Sequence, residues 1–215
     1  MAHNLHHNPN TPPQRKGSHM NKRTRQQLII ALCTLAVPLT ATAHTFGTHG
    51  AGFMQGIMHP LSGLDHLLAM LAAGLWASQL GGRALWAVPL AFVGAMVLGG
   101  VLGMTGYALP FTETFIVLSV LTLGLMITFA VCVPTAVGML LVGGFAVFHG
   151  HAHGMEMMQG ASGVVYALGF VITTSALHVA GILARLGLLR IDSRHVVRGS
   201  GIAIAMTGLA LLLNT

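Results

Sequence analysis

Long apolar stretches separated by short polar connections make up the chain from residue 51 to its end. A membrane-spanning helix needs about 20 mostly apolar residues to cross ~30 Å of hydrocarbon. The pattern therefore predicts an all-α fold, a polytopic transmembrane helix bundle of about six spans, the fourth and sixth of them short. The predicted bounds are 51–79, 84–106, 111–131, 134–149, 160–184 and 199–213.

The N-terminal segments are expected to stand apart from this bundle. Residues 1–19 carry clustered histidines and prolines and end in Gly-Ser-His before Met20, which is typical of an expression tag and its vector scar. Residues 20–43 combine basic residues, an apolar run and a closing Ala41-Thr42-Ala43, which predicts a cleaved signal peptide. The six-span metal-transport domain would then be residues 44–215, with His44 as its periplasmic N-terminus.

Composition supports a membrane protein and excludes several other classes. The chain is 54% hydrophobic and 7% charged, whereas soluble domains carry about 25% charged residues. Residues 44–215 hold five arginines and four acids, a net charge of 5 − 4 = +1, and no lysine. This excludes a P-loop and gives no sign of nucleic-acid binding. Cys132 alone remains, so thiolate metal sites and disulfides are excluded, and the expected partners are the lipid bilayer and a divalent metal ion.

The arginines indicate the orientation of the bundle, because cytoplasmic connections carry the excess of basic residues. Arg83 lies in the first connection, and the other four arginines lie around the fifth. The connections around 107–111 and 150–158 contain no arginine or lysine. We therefore expect a bacterial inner-membrane protein with both mature termini in the periplasm. Oligomeric state is not indicated.

Small and aromatic residues suggest how the spans pack. Gly99 and Gly103 form a GxxxG pair in the second span, which lets helix backbones approach closely. Trp76, Trp86 and Tyr107 lie near predicted span ends, where aromatic residues anchor helices at the membrane interface.

Ionisable residues inside such an apolar chain are functional candidates, because burying them in a membrane is costly. The first cluster is HPLSGLDH, residues 59–66. Pro60 suits the first turn of a helix, so the first span is predicted to break at His59-Pro60. Ser62 and His66 then share a face, and Asp65 is either a metal ligand or a partner that orients an imidazole.

The second cluster is FHGHAHGME, residues 148–156. If the segment is helical, His149, His153 and Glu156 share one face and His151 lies opposite; if it is extended, the three histidines line one side. Both geometries predict a metal site. His178, inside the fifth span, is either a structural histidine or a further ligand on the path. His44 and His49 would add periplasmic nitrogens, His44 also through its free α-amine.

The two motifs, HPxxGxDH and FHGxAHGxE, resemble those of the HupE/UreJ family of nickel permeases associated with hydrogenase and urease maturation. The resemblance covers essentially all of residues 44–215. It implies metal-pathway roles for His59, Asp65, His66, His149, His153 and Glu156. His151 occupies a variable position of its motif.

The resemblance also supplies the identity of the transported ion. Imidazole and carboxylate bind nickel, cobalt, zinc and copper(II), so the ligands alone indicate only a borderline divalent cation. Ni2+ is the expected substrate, with Co2+, Zn2+ or Cu2+ as alternatives on the same scaffold. The competing class is an intramembrane zinc-dependent hydrolase with Glu156 or Asp65 as general base. We favour a permease that carries nickel from periplasm to cytoplasm, and not an enzyme.

Overall fold

The computed structural model describes residues 48–157, 162–189 and 194–214, with side chains from residue 52 onward. The predicted tag, signal peptide and His44 lie outside the described residues, as does the side chain of His49. The described ranges contain seven helices and no strand. The helices are α1 (Thr48–Ser62), α2 (Leu64–Leu80), α3 (Ala84–Met104), α4 (Thr112–Thr128), α5 (Thr135–Met155), α6 (Gly163–Leu189) and α7 (Arg194–Leu212).

The length and apolarity of these helices match the predicted membrane spans. Helices α3, α5, α6 and α7 are each long and apolar enough to cross a bilayer, and α1 with α2 forms a fifth, bent unit. Helix α4 is apolar but shorter, at 17 residues. The all-α, polytopic fold with about six spans is thereby confirmed.

The first span is broken, as predicted, but the break lies at Gly63 and not at His59-Pro60. Helix α1 continues through Pro60 to Ser62, and Gly63 is extended, with φ −94° and ψ 122°. The two halves meet at an angle of 80°. Pro60 lies two residues before the end of α1, where its missing N–H and its ring disturb the helix without ending it. His59 therefore lies on α1, and Asp65 and His66 begin α2.

The bounds of three further helices differ clearly from the predicted ones. Helix α5 continues to Met155, six residues past the predicted end of the fourth span at 149. Helix α6 runs from Gly163 to Leu189, where 160–184 was predicted, and α7 begins at Arg194 instead of 199. The predicted span ended at the first histidine, His149, because the following residues are polar. These residues are nevertheless buried against other helices and stay helical to Met155.

Glycines allow α3 and α5 to pack backbone to backbone, as the GxxxG pair predicted. A Cβ atom added at Gly99 would overlap the carbonyl oxygen of Val147, and one added at Gly150 would overlap that of Met96. Helices α2 with α6, α1 with α6, and α4 with α7 meet at glycines in the same way. This packing brings side chains of α1, α2, α5 and α6 into one buried region.

We expect Gly99→Ala to destabilise the protein strongly, because the added methyl has no space at the crossing of α3 and α5. Overpacking a tight contact costs about 1–3 kcal/mol or more. Thermal unfolding of the purified protein in detergent measures the effect. The matched control is Gly94→Ala on the same helix, where an added Cβ meets nothing within 4 Å. Equal melting temperatures for the two variants would contradict the close contact.

Candidate metal site

Four histidines from three helices form one cluster, which we call the four-histidine cluster: His59 on α1, His66 on α2, and His149 and His153 on α5. The ring centroids of His59 and His153 are 4.7 Å apart, and both His66–His153 and His66–His149 are 4.8 Å apart. The rings meet edge to face. The two predicted motifs, more than 80 residues apart in the chain, thus meet at one place.

The second motif is helical, so the helical alternative applies. His149 and His153 share the face of α5 that meets His66. His151 points elsewhere: its Nε2 lies 2.6 Å from the carbonyl oxygen of Tyr107, and its Nδ1 lies 3.3 Å from Thr112 Oγ1. The structure therefore places His151 against the connection between α3 and α4 and not in the cluster.

Asp65 orients His66. A carboxylate oxygen, Oδ1, lies 2.9 Å from His66 Nδ1 and also accepts the His66 backbone N–H at 2.7 Å. An ionised carboxylate has no hydrogen to donate and can only accept, so the imidazole proton of this contact lies on Nδ1. His66 Nε2 has no hydrogen-bond partner, and in the neutral imidazole it is the nitrogen that carries the lone pair. This is the arrangement in which a carboxylate fixes the tautomer of a metal-ligating histidine.

Ser119 orients His149 in a comparable way. The Ser119 hydroxyl donates to the carbonyl oxygen of Ile116 at 2.6 Å, so its oxygen is free to accept from His149 Nε2 at 2.9 Å. The lone pair of His149 then lies on Nδ1, which has no partner. Ser119 could not be singled out from the sequence, because its only signal was a hydroxyl in a mostly apolar run.

Glu156 and His59 lie at the more exposed end of the cluster. His59 Nε2 is 2.9 Å from Glu156 Oε2, and the side chains are 19% and 54% exposed. The hydrogen bond from His59 holds the pKa of the Glu156 carboxyl below its usual range. His149 and His153, in contrast, are fully buried. Polar groups thus continue from an accessible carboxylate to buried imidazoles.

Aromatic side chains surround the imidazoles. Phe170 stacks on His153 with ring centroids 5.3 Å apart, and Tyr166 lies beside His59 at 6.4 Å. Phe92 lies between His149, at 5.6 Å, and His178, at 4.9 Å. These apolar walls keep competing hydrogen-bond partners away from the histidine nitrogens. Their positions could not be inferred from the sequence, because aromatic residues recur throughout the apolar spans.

The cluster contains imidazole nitrogens without hydrogen-bond partners, but these nitrogens are not yet arranged around one point as the ligands of an ion are. Across the described ranges, no three His, Cys, Asp or Glu side chains already surround one point as ligands surround an ion. Yet His66 Nε2, His149 Nδ1 and both nitrogens of His153 are buried without a hydrogen-bond partner. Leaving a buried polar atom unpaired costs about 1–3 kcal/mol. Several such atoms in one cluster indicate a site that binds something else.

Comparison with known proteins agrees with the motifs. A family model described as "HupE / UreJ protein" matches residues 31–211, which include both motifs. The "Protein HupE" of Rhizobium leguminosarum bv. viciae is 48% identical over 190 residues, covering 87% of this chain and 98% of that protein. No solved structure matches the chain.

Proposed function

The chain belongs to the HupE/UreJ family, and from this membership we propose that it is a permease that imports nickel from the periplasm to the cytoplasm. The family consists of membrane transporters and accessory proteins and not of enzymes, which argues against the intramembrane hydrolase. It is generally associated with nickel and cobalt transport for hydrogenase or urease. Nickel as substrate, the inward direction and the bacterial inner membrane are our proposal.

The observation that carries the proposal is the set of unpaired imidazole nitrogens in the four-histidine cluster. Neutral imidazole nitrogen is a preferred ligand of nickel, and Asp65 and Ser119 each hold a histidine with one lone pair free. The rings contact one another edge to face, so rotation about their side-chain torsions would direct several nitrogens to one ion. Their burial would also require the ion to shed water before it binds.

Exposure and charge support inward movement. Glu156 and His59 form the accessible end of the cluster, and the negative charge of the Glu156 carboxylate suits the capture of a hydrated cation. His66, His149 and His153 lie deeper and would hold the ion after dehydration. A membrane potential of 100 mV, negative inside, favours the inward transfer of two positive charges by about 4.6 kcal/mol. No ATP hydrolysis by this chain is required.

Radioactive nickel uptake by cells that express the chain tests this proposal. We expect nickel to accumulate above the level of cells that carry an empty vector, and excess cobalt to compete more strongly than zinc or copper. Since the ligand types suit all four ions, competition is needed to identify the substrate. Accumulation of zinc or copper without nickel would instead assign the scaffold to that ion.

A further inference from the structure

A second group of polar and sulfur atoms lies beyond the four-histidine cluster, on α2, α3 and α6. The Thr174 hydroxyl of α6 is 3.3 Å from Met70 Sδ on α2 and 3.7 Å from Met96 Sδ on α3. All three side chains are fully buried. Two thioethers from different helices thus converge on one hydroxyl in the interior of the bundle.

His178 lies one helical turn beyond Thr174. Its side chain is 1% exposed, and neither ring nitrogen has a hydrogen-bond partner within the described residues. A structural histidine would be expected to donate or accept at least one bond, because most buried polar atoms do so. Its nearest aromatic neighbour is Phe92, which also contacts His149 of the four-histidine cluster. The unpaired nitrogens of His178 are therefore free to bind a ligand.

Helical spacing places these groups in consecutive layers. Residues four apart share a helix face and are ~6 Å apart along the axis. The three series are His66, Met70 and Gly74 on α2; Phe170, Thr174 and His178 on α6; and Gly100, Met96 and Phe92 on α3, which runs the opposite way. The first layer holds His66 of the four-histidine cluster, the second the two thioethers, and the third His178.

We propose that Met70, Met96 and His178 form an inner transit site that receives the metal ion from the four-histidine cluster. This inference rests on the proposed transport function and adds a second site to the path. Thioether sulfur is a softer and weaker ligand for nickel than imidazole. A weak inner site suits transport, because an ion that crosses a membrane must leave each site it enters. Methionine as simple packing material would not explain the unpaired nitrogens of His178 in the next layer.

The test is the paired substitution Met70→Leu with Met96→Leu, which removes both sulfurs and nearly preserves volume. In proteoliposomes we expect the nickel uptake rate to fall about tenfold, as when a metal site loses supporting groups. The affinity of the purified protein for its first nickel ion should remain at the wild-type level, because the four-histidine cluster is intact. The control is Met126→Leu on α4, a methionine that is partly buried against the core and makes no contact with Thr174 among those described. It should transport as the wild type does.

A second variant and a spectroscopic measurement test the inner site independently of the paired substitution. His178→Gln should also slow uptake without weakening equilibrium binding. Uptake at the control rate in both variants, or loss of nickel binding together with uptake, would overturn the inner site. A wild-type protein that moves no nickel would count against the proposed function instead. X-ray absorption at saturating nickel tests the inner site independently, because it detects sulfur atoms bound to the nickel ion. Sulfur coordination in the wild type that the paired substitution removes supports the inner site. Absence of sulfur coordination in the wild type overturns it.

Discussion

His66→Ala should abolish nickel uptake, and Asp65→Asn should reduce it about 10- to 100-fold, the usual cost of losing a group that orients a metal ligand. His66 has centroid distances of 4.8 Å to both His149 and His153, so it joins the two motifs. Asp65 fixes the His66 proton on Nδ1 through its 2.9 Å contact. An amide in place of the carboxylate can present its N–H₂ to that nitrogen and favour the wrong tautomer.

The measurement is initial uptake of radioactive nickel, corrected for the amount of protein in the membrane. The control is His195→Ala, because His195 is an exposed histidine in the first turn of α7. It should leave uptake unchanged. If His66→Ala took up nickel at the wild-type rate, the first motif would have no role in transport. If His66→Ala and His195→Ala lost uptake equally, the loss would indicate a general effect on the fold.

Combined substitution of His149, His153 and Glu156 by glutamine should raise the nickel concentration for half-maximal uptake by at least an order of magnitude. The substitutions remove two buried imidazoles of the cluster and the carboxylate that holds His59 at 2.9 Å. His151→Gln should have a smaller effect, because His151 contacts Tyr107 and Thr112 instead of the cluster. Uptake rates over a range of nickel concentrations separate a change in affinity from a change in maximal rate.

His151→Gln is also the internal control for this series, since it alters a histidine of the same helical turn. If it impaired uptake more than the triple substitution, the helical arrangement of the motif would be wrong for the working protein, and the extended alternative would apply. A triple variant with unchanged half-maximal concentration would separate the second motif from metal capture.

Much of the fold could be predicted from local patterns in the sequence. The apolar segments, the break in the first span and the close approach of glycines at Gly99 were predictable, because each depends on local composition and backbone sterics. The position of the break at Gly63 was not, since a proline near a helix end removes one hydrogen bond without ending the helix. Trp76, expected at the membrane interface, is fully buried and donates its indole N–H to the Val131 carbonyl oxygen at 3.0 Å.

The motifs of the candidate site could be predicted from the sequence, but the contacts between its side chains could not. Histidines and carboxylates in an apolar chain indicated which residues to consider, and the helical alternative separated His151 from its neighbours. The contacts depend on helix packing between segments that are distant in the chain. Examples are the contact of His66 with His149, the hydrogen bond from His149 to Ser119, and the approach of Met70 and Met96 to Thr174. Serine, threonine and methionine are common in apolar spans, so the sequence gives them no distinguishing signal. Metal-site roles for His44 and His49 stay predictions.

Nickel flux into proteoliposomes that contain only the purified protein tests the central claim most directly. A nickel-sensitive dye inside the vesicles reports the ion, and a potential that is negative inside drives it. We predict rapid nickel influx with the wild-type protein, slower influx without the potential, and no influx above empty vesicles with His66→Ala. Absence of influx with a folded, correctly inserted wild-type protein, or equal influx with His66→Ala, would contradict transport through the four-histidine cluster.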